Sequence, residues 1–169
     1  GIPAVASISK WSQTNGNILI LYKISDPGNL GTLIRTANAF GWYRVVLVDS
    51  CVDPFGLDCI RSSMGASLKV PTYSIAISDL QAFLNRNKII PVIADSNGTE
   101  SSLDLSLFKS SSTTPSMGLI LGSESHGFKD FPSELYELCH KVSIPMKNGA
   151  DSLNVAVSGG ILMNLLSAK

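Results

Sequence analysis

The chain has 169 residues, 44% of them hydrophobic, enough for one domain with a sizeable core. Lys+Arg number 13 and Asp+Glu number 13, so net charge announces no nucleic-acid partner, and any such binding must come from a local patch or a further domain. Cys51, Cys59 and Cys139 share no CxxC spacing, which argues against zinc and against a disulfide framework, and no apolar run reaches the ~18 residues of a membrane span.

Residues 18–23 are a short, nearly continuous apolar run, expected as a buried parallel strand. Ser25-Asp26-Pro27-Gly28 breaks it. Leu30, Leu33, Ile34, Ala37 and Phe40 then recur at helical spacing until Gly41. Asn29 is a candidate cap for this helix, and Gly31 marks a close approach of another backbone. A strand is expected at 44–48 and a helical segment at 56–64. Ser78 and Gln81 have capping-box spacing, which predicts a helix running to about Asn87. Residues 89–94 read as a strand, 96–115 as a polar surface loop, 117–121 as a strand and 132–138 as a short helix. A last strand is expected at 141–144 and a final helix at 153–166. Strands alternating with helices predict an α/β fold: a mostly parallel sheet with helices on both faces, without internal repeat or linker.

Ligands in open α/β sheets sit at the carboxyl ends of strands. Two loops there attract attention. Gly122-Ser123-Glu124-Ser125-His126-Gly127 follows one apolar strand, and residues 144–154 follow another. Two glycines flanking Glu124 suggest backbone wrapped around a ligand; an ordinary Gly-rich turn with an exposed Glu is the plainer reading. His126 lacks an identifiable acidic orienting partner and is read as a loop histidine; His140 is read as structural. Asp151 and Ser152 are strong helix caps in their own right. Asn154 is placed just inside the last helix, facing something polar. Gly159-Gly160 within that helix costs ~1 kcal/mol per residue relative to Ala and points to close packing against a backbone or a partner subunit. Arg35 reads either as a surface arginine paired with a carboxylate or as a fork-shaped cation aimed at a phosphate or developing oxyanion. The chain contains no GxGxxG and no GxxxxGK[ST], so it carries neither a dinucleotide fingerprint nor a P-loop.

Three segments together resemble a known family. Asn29-Leu30-Gly31-Thr32-Leu33-Ile34-Arg35-Thr36-Ala37 with Phe40-Gly41 is similar to the first motif of the SpoU (TrmH-like) RNA 2′-O-methyltransferases of the SPOUT superfamily. Leu121-Gly122-Ser123-Glu124-Ser125-His126-Gly127 resembles the second motif. Ile144-Pro145-Met146 through Ser152-Leu153-Asn154-Val155 resembles the third.

The resemblance implies an α/β domain ending in a trefoil knot, S-adenosylmethionine bound bent within it, and a homodimer with the active site near the subunit interface. Carried over by motif, Gly122, Ile144, Met146 and Leu153 contact the cofactor, mainly through backbone. Arg35 is the implied catalytic arginine, with Asn29, Glu124, Ser152 and Asn154 shaping the site. Arg61 precedes Gly65-Ala66 where the family often has a basic residue, so Arg35 and Arg61 are the implied RNA contacts, a surface salt bridge being the plainer reading of Arg61. The implied function is 2′-O-methylation of a ribose in RNA, ribosomal first and transfer RNA second, without metal. The alternative of another class is a non-catalytic RNA-binding or assembly module that keeps the knot. Residues 1–169 are expected to be the catalytic domain without the family's N-terminal RNA-recognition extension. The expected location is the cytoplasm, or an organellar matrix or stroma if a targeting segment precedes residue 1. This chain departs from many members at Met163-Asn164-Leu165, where a Glu is frequent, and at Ser125-His126.

Overall fold

The computed structural model describes residues 5–7, 11, 16–95, 116–123, 125 and 127–167. In chain order the elements are β1 (Ala6–Ser7), β2 (Ile18–Tyr22), α1 (Pro27–Ala39), β3 (Arg44–Val48), α2 (Leu57–Ser62) and β4 (Thr72–Ile75). They continue with α3 (Ile77–Asn87), β5 (Ile90–Ala94), β6 (Met117–Gly122), α4 (Ser133–Leu138), β7 (His140–Val142) and α5 (Val155–Ser167). A 3₁₀ turn, Ala66–Leu68, follows α2. The expected loop at 96–115 lies outside the described residues.

The strands form one seven-stranded sheet in the order β1-β4-β3-β2-β6-β5-β7, and every strand pairing among the described residues is parallel. Central β2 and β3 are buried along their whole length, which is why they read as continuous apolar runs. Alternate side chains of β2 serve opposite faces. Leu19 and Leu21 pack with Leu33 of α1, Cys59 of α2 and Leu162 of α5. Ile18, Ile20 and Tyr22 pack with Leu80 and Phe83 of α3 and Leu135 of α4. The sheet is therefore covered on both faces, as expected.

Several local expectations change. Asn29 does not cap α1: Asp26 does, its Oδ1 accepting the Asn29 N–H at 2.7 Å, with Pro27 pre-set in the first turn. The Ser78–Gln81 box does not open α3. That helix starts at Ile77, after Ala76, because the Asp49 carboxylate beyond β3 accepts the Ile77 N–H at 2.9 Å. A cap from a neighbouring strand has replaced the local one. Strands β1 and β4 were not expected from the sequence. They are short and lie toward one edge of the sheet, and the interior positions of β4, Tyr73 and Ser74, are not buried. The last strand ends at Val142, short of the expected 144, and the chain then bends away to line a cavity.

Gly31 behaves as expected. A Cβ there would lie 2.6 Å from the Cys59 carbonyl oxygen and 2.8 Å from the Ser63 nitrogen, so α1 and α2 touch backbone to backbone. We predict that Gly31→Ala destabilises the domain by about 1–3 kcal/mol through overpacking, read as a lower urea midpoint with an unchanged slope. Gly159 and Gly160 do not meet backbone. A Cβ at Gly159 would strike Leu33 and Leu121 side chains of the same chain, and one at Gly160 would contact Thr36. Gly159 lets α5 settle on α1 and β6 within one chain, whereas at Gly160 a Cβ would make only an ordinary contact.

Candidate active site at the carboxyl edge of the sheet

Because the strands run parallel, the loops after β5, β6 and β7 emerge on one edge and meet the approach to α5. They border a cavity of about 680 Å³, open to solvent on one side and lined by residues that include Ala94, Gly122, Ile144, Met146, Ser152 and Leu153. That volume lies within the range of small-molecule sites. Gly122, Ile144, Met146 and Leu153, the four residues expected to hold a cofactor, all lie on its wall.

The β6 loop folds back on itself. Ser123 bridges Gly127, whose N–H donates to the Ser123 carbonyl at 2.7 Å and whose φ of 51° is left-handed. A Cβ on Gly122 would lie 2.7 Å from the Gly127 carbonyl oxygen and 3.1 Å from the Phe128 ring. Gly122 is thus required by the return of its own loop. Glu124 and His126 lie outside the described residues. Beneath the loop, Phe128 stacks on buried Tyr22 at 6.4 Å between ring centroids, and Phe131 meets Tyr22 edge-on at 5.2 Å. These rings stiffen one wall.

Two further candidates, Asn29 and Asn154, meet at the starts of α1 and α5. Asn154 Nδ2 donates to Asn29 Oδ1 at 2.9 Å, tying the starts of α1 and α5 together. Asn154 Oδ1 also accepts the Ala156 and Val157 N–H groups at 2.9 and 3.3 Å. Asn154 is therefore the cap of α5, a position expected for Asp151 or Ser152. Both asparagines border a second groove of about 580 Å³, between α1 and α5. We expect Asn154→Ala to cost about 1 kcal/mol of stability through the lost cap alone, measured by thermal unfolding. No change would show that the amide contributes nothing as a cap.

Arg35 is exposed on α1 and lines neither hollow. The ion pairs among the described residues, Lys23–Asp130, Arg61–Asp58 and Lys141–Glu137, leave it out. It therefore has no structural carboxylate partner among them, against the plainer reading. Arg61 lies 3.9 Å from Asp58, both side chains more than three-quarters exposed, which is the plainer reading of that residue. Within one chain the structure thus joins Gly122, Ile144, Met146, Ser152 and Leu153 in the cavity and Asn29 with Asn154 beside it. It leaves Arg35 and Arg61 apart.

Asp95 and Tyr136 were missed. Both line the cavity, and the Tyr136 hydroxyl donates to Asp95 Oδ2 at 2.7 Å. That bond to a carboxylate is the main cause pushing the Tyr136 phenol up to about 12, so it stays a donor near neutrality. Asp95 follows an apolar strand directly, so the carboxyl-edge rule pointed to it; Tyr136, inside a short helix, gave no signal. The cysteines are free, and burial pushes the thiols of Cys59 and Cys139 up to about 11, which keeps them protonated and unreactive. Among the described residues, no group of three or more His, Cys, Asp or Glu could hold a metal ion, and no helix is long and apolar enough to cross a membrane.

A doubly covered parallel sheet with a cavity at its carboxyl edge places the chain in the α/β class whose ligands sit at that edge. The class narrows further on comparison: residues 16–164 match the model of the SpoU rRNA Methylase family, and the chain belongs to that family. It is 33% identical over 148 residues to an uncharacterised tRNA/rRNA methyltransferase of Synechocystis, covering 86% of this chain and 50% of the relative. It is 31% identical over 150 residues to the 23S rRNA (guanosine(2553)-2′-O)-methyltransferase of Bacillus subtilis, covering 89% and 57%. The AdoMet-bound rRNA methyltransferase of Sinorhizobium meliloti superposes with a TM-score of 0.78 at 28% identity, over 95% of this chain and 59% of that one. The chain thus spans about half the length of the curated relatives it matches.

Proposed function

We propose that this chain is the catalytic domain of an S-adenosylmethionine-dependent RNA ribose 2′-O-methyltransferase. One observation carries the reading: the second and third family motifs converge on a single cavity, with Gly122, Ile144, Met146 and Leu153 on its wall. Its size, its backbone-rich loops and its apolar lining suit an adenosine-bearing ligand. When bound there, S-adenosylmethionine supplies an electrophilic methyl group on a sulfonium.

The chain's own residues supply the rest. The cavity wall fixes the donor's position. Asn154, clamped on Asn29, holds the start of α5 so that Ser152 and Leu153 stay on that wall. Arg35 is the cation we assign to the acceptor, stabilising charge on the attacking 2′-oxygen or gripping the adjacent phosphate. The proton of the attacking 2′-hydroxyl leaves to the adjacent phosphate or to water. Glu124 we assign to shaping the β6 loop.

Arg35 lies outside the cavity of its own chain, which favours a site completed at a two-fold interface. Val157 and Leu165 of α5 are 51% and 52% exposed, and Phe40 and Ile161, 40% and 38% exposed, border the α1–α5 groove. We propose that a second copy of the chain covers this surface. Light scattering at micromolar concentration should give twice the chain mass; a monomer would remove the interface.

We further propose the family's trefoil knot. Support comes from the sheet order, in which the chain leaves edge strand β7 and returns past the cavity to pack α5 on α1 and β6. Pulled from its ends, a knotted chain stops short of the contour length of 169 residues; full extension would exclude the knot.

We take the substrate to be ribosomal RNA, in keeping with the Bacillus and Sinorhizobium relatives, and the workplace to be the cytoplasm or an organellar matrix. With 13 basic and 13 acidic residues the chain attracts phosphate weakly at long range, so Arg35 and Arg61 act as local contacts. The deciding experiment is incubation with methyl-labelled S-adenosylmethionine and total RNA. Label in ribosomal 2′-O-methylnucleosides is expected. Cofactor binding without transfer would favour a non-catalytic RNA-binding module.

A further inference from the structure

Asp95 and Tyr136 belong to none of the three motifs, yet they form a built polar feature in the cavity wall. Asp95 is pinned: its N–H donates to the Val142 carbonyl at 3.0 Å, fixing it between β5 and β7. Its carboxylate accepts the Tyr136 hydroxyl at 2.7 Å, so the second element, α4, sets its rotation. Among the described lining residues Asp95 is the only carboxylate, and the same cavity is lined by the rings of Phe128, Phe131 and Tyr136. A carboxylate is acceptor-only, with about four lone-pair sites over two oxygens. A vicinal diol presents two adjacent donors, the complement of that edge. An adenosine carries such a diol next to a flat base, which the aromatic side of the cavity suits.

We propose that Asp95, oriented by Tyr136, receives the ribose hydroxyls of the adenosine moiety of the cofactor. Asp95 is the contact residue and Tyr136 a positioning residue. The proposal rests on the cofactor reading above. It assigns a function to two residues that the family motifs leave unassigned.

The test is calorimetric titration of the full chain with three ligands. S-adenosylhomocysteine carries both the diol and the amino-acid end. 5′-Methylthioadenosine carries the diol without the amino acid, and its 2′,3′-dideoxy form lacks both. Asp95→Ala should weaken binding of the first two by about 10- to 100-fold and leave the dideoxy ligand unaffected. Tyr136→Phe should weaken the two diol ligands about 3- to 10-fold, again sparing the dideoxy ligand, a split that a merely structural role would not produce. Should Asp95→Ala fail to fold, the near-isosteric Asp95→Asn reads the same pattern at smaller size.

A loss confined to S-adenosylhomocysteine would put Asp95 at the amino-acid end and overturn the proposal. So would equal losses with all three ligands, unchanged affinities, or a wild type that binds the dideoxy ligand as tightly as the diol ligand. A wild type that binds no S-adenosylhomocysteine sinks the cofactor reading itself. That result differs from a binding wild type whose variants do not discriminate.

Discussion

Arg35→Ala is expected to lower methyl transfer by about 10²–10³-fold, while the affinity for S-adenosylhomocysteine stays within about twofold. The split follows from placement. Arg35 is exposed on α1, and the cavity is walled by the loops after β5, β6 and β7 and by the approach to α5. On the proposed assignment of Arg35 to the acceptor, removing the guanidinium takes charge away from the RNA and leaves the cavity wall unchanged. Arg35→Lys should recover little, because an ammonium lacks the planar fork that can hold a phosphate and an alkoxide together. Because Arg35 makes none of the ion pairs among the described residues, its loss should leave the unfolding midpoint unchanged. A variant with near-normal turnover would remove Arg35 from the mechanism.

Gly122→Val is expected to abolish detectable cofactor binding. A Cβ at residue 122 would already sit 2.7 Å from the Gly127 carbonyl oxygen and 3.1 Å from Phe128, before the valine methyls are counted. The obstacle is backbone of the same loop, so relief requires opening the Ser123–Gly127 bridge. An opened loop loses its grip on the cavity wall. Stability should fall as well, by about 1–3 kcal/mol, as for overpacking elsewhere. Calorimetry reads the binding and urea unfolding reads the fold. A folded Gly122→Val protein with wild-type affinity would put the cofactor elsewhere.

Central parts of the fold are legible in sequence because they are locally encoded. The runs at 18–22 and 44–48 are buried on both faces, and burial on both faces leaves no polar alternation to confuse the reading. Helix α1 announces itself through Pro27, the apolar spacing from Leu30 to Ala37, and Gly41. Its close contact with α2 is visible in Gly31, since only a missing Cβ admits the Cys59 carbonyl. The short strands β1 and β4 are not legible: a few half-buried residues carry no periodicity, and only a neighbour's open edge makes them strands.

The residues that line the cavity were legible for two reasons. Strand-then-glycine and strand-then-loop patterns mark carboxyl-edge turns, and the motif resemblance singled out Gly122, Ile144, Met146 and Leu153 within them. What the sequence by itself determined is therefore the α/β class, the main strands and helices, the family, and the loops that face the cavity. Tertiary structure alone decided the connections that depend on distant partners. Asp49 caps α3 from across a strand crossover, and Asn154 caps α5 while gripping Asn29, 125 positions away. Asp95 meets Tyr136 only because β5, β7 and α4 converge at one edge. A hydrogen bond is satisfied by whichever donor and acceptor the fold brings within about 3 Å, and local sequence cannot name a partner that packing supplies.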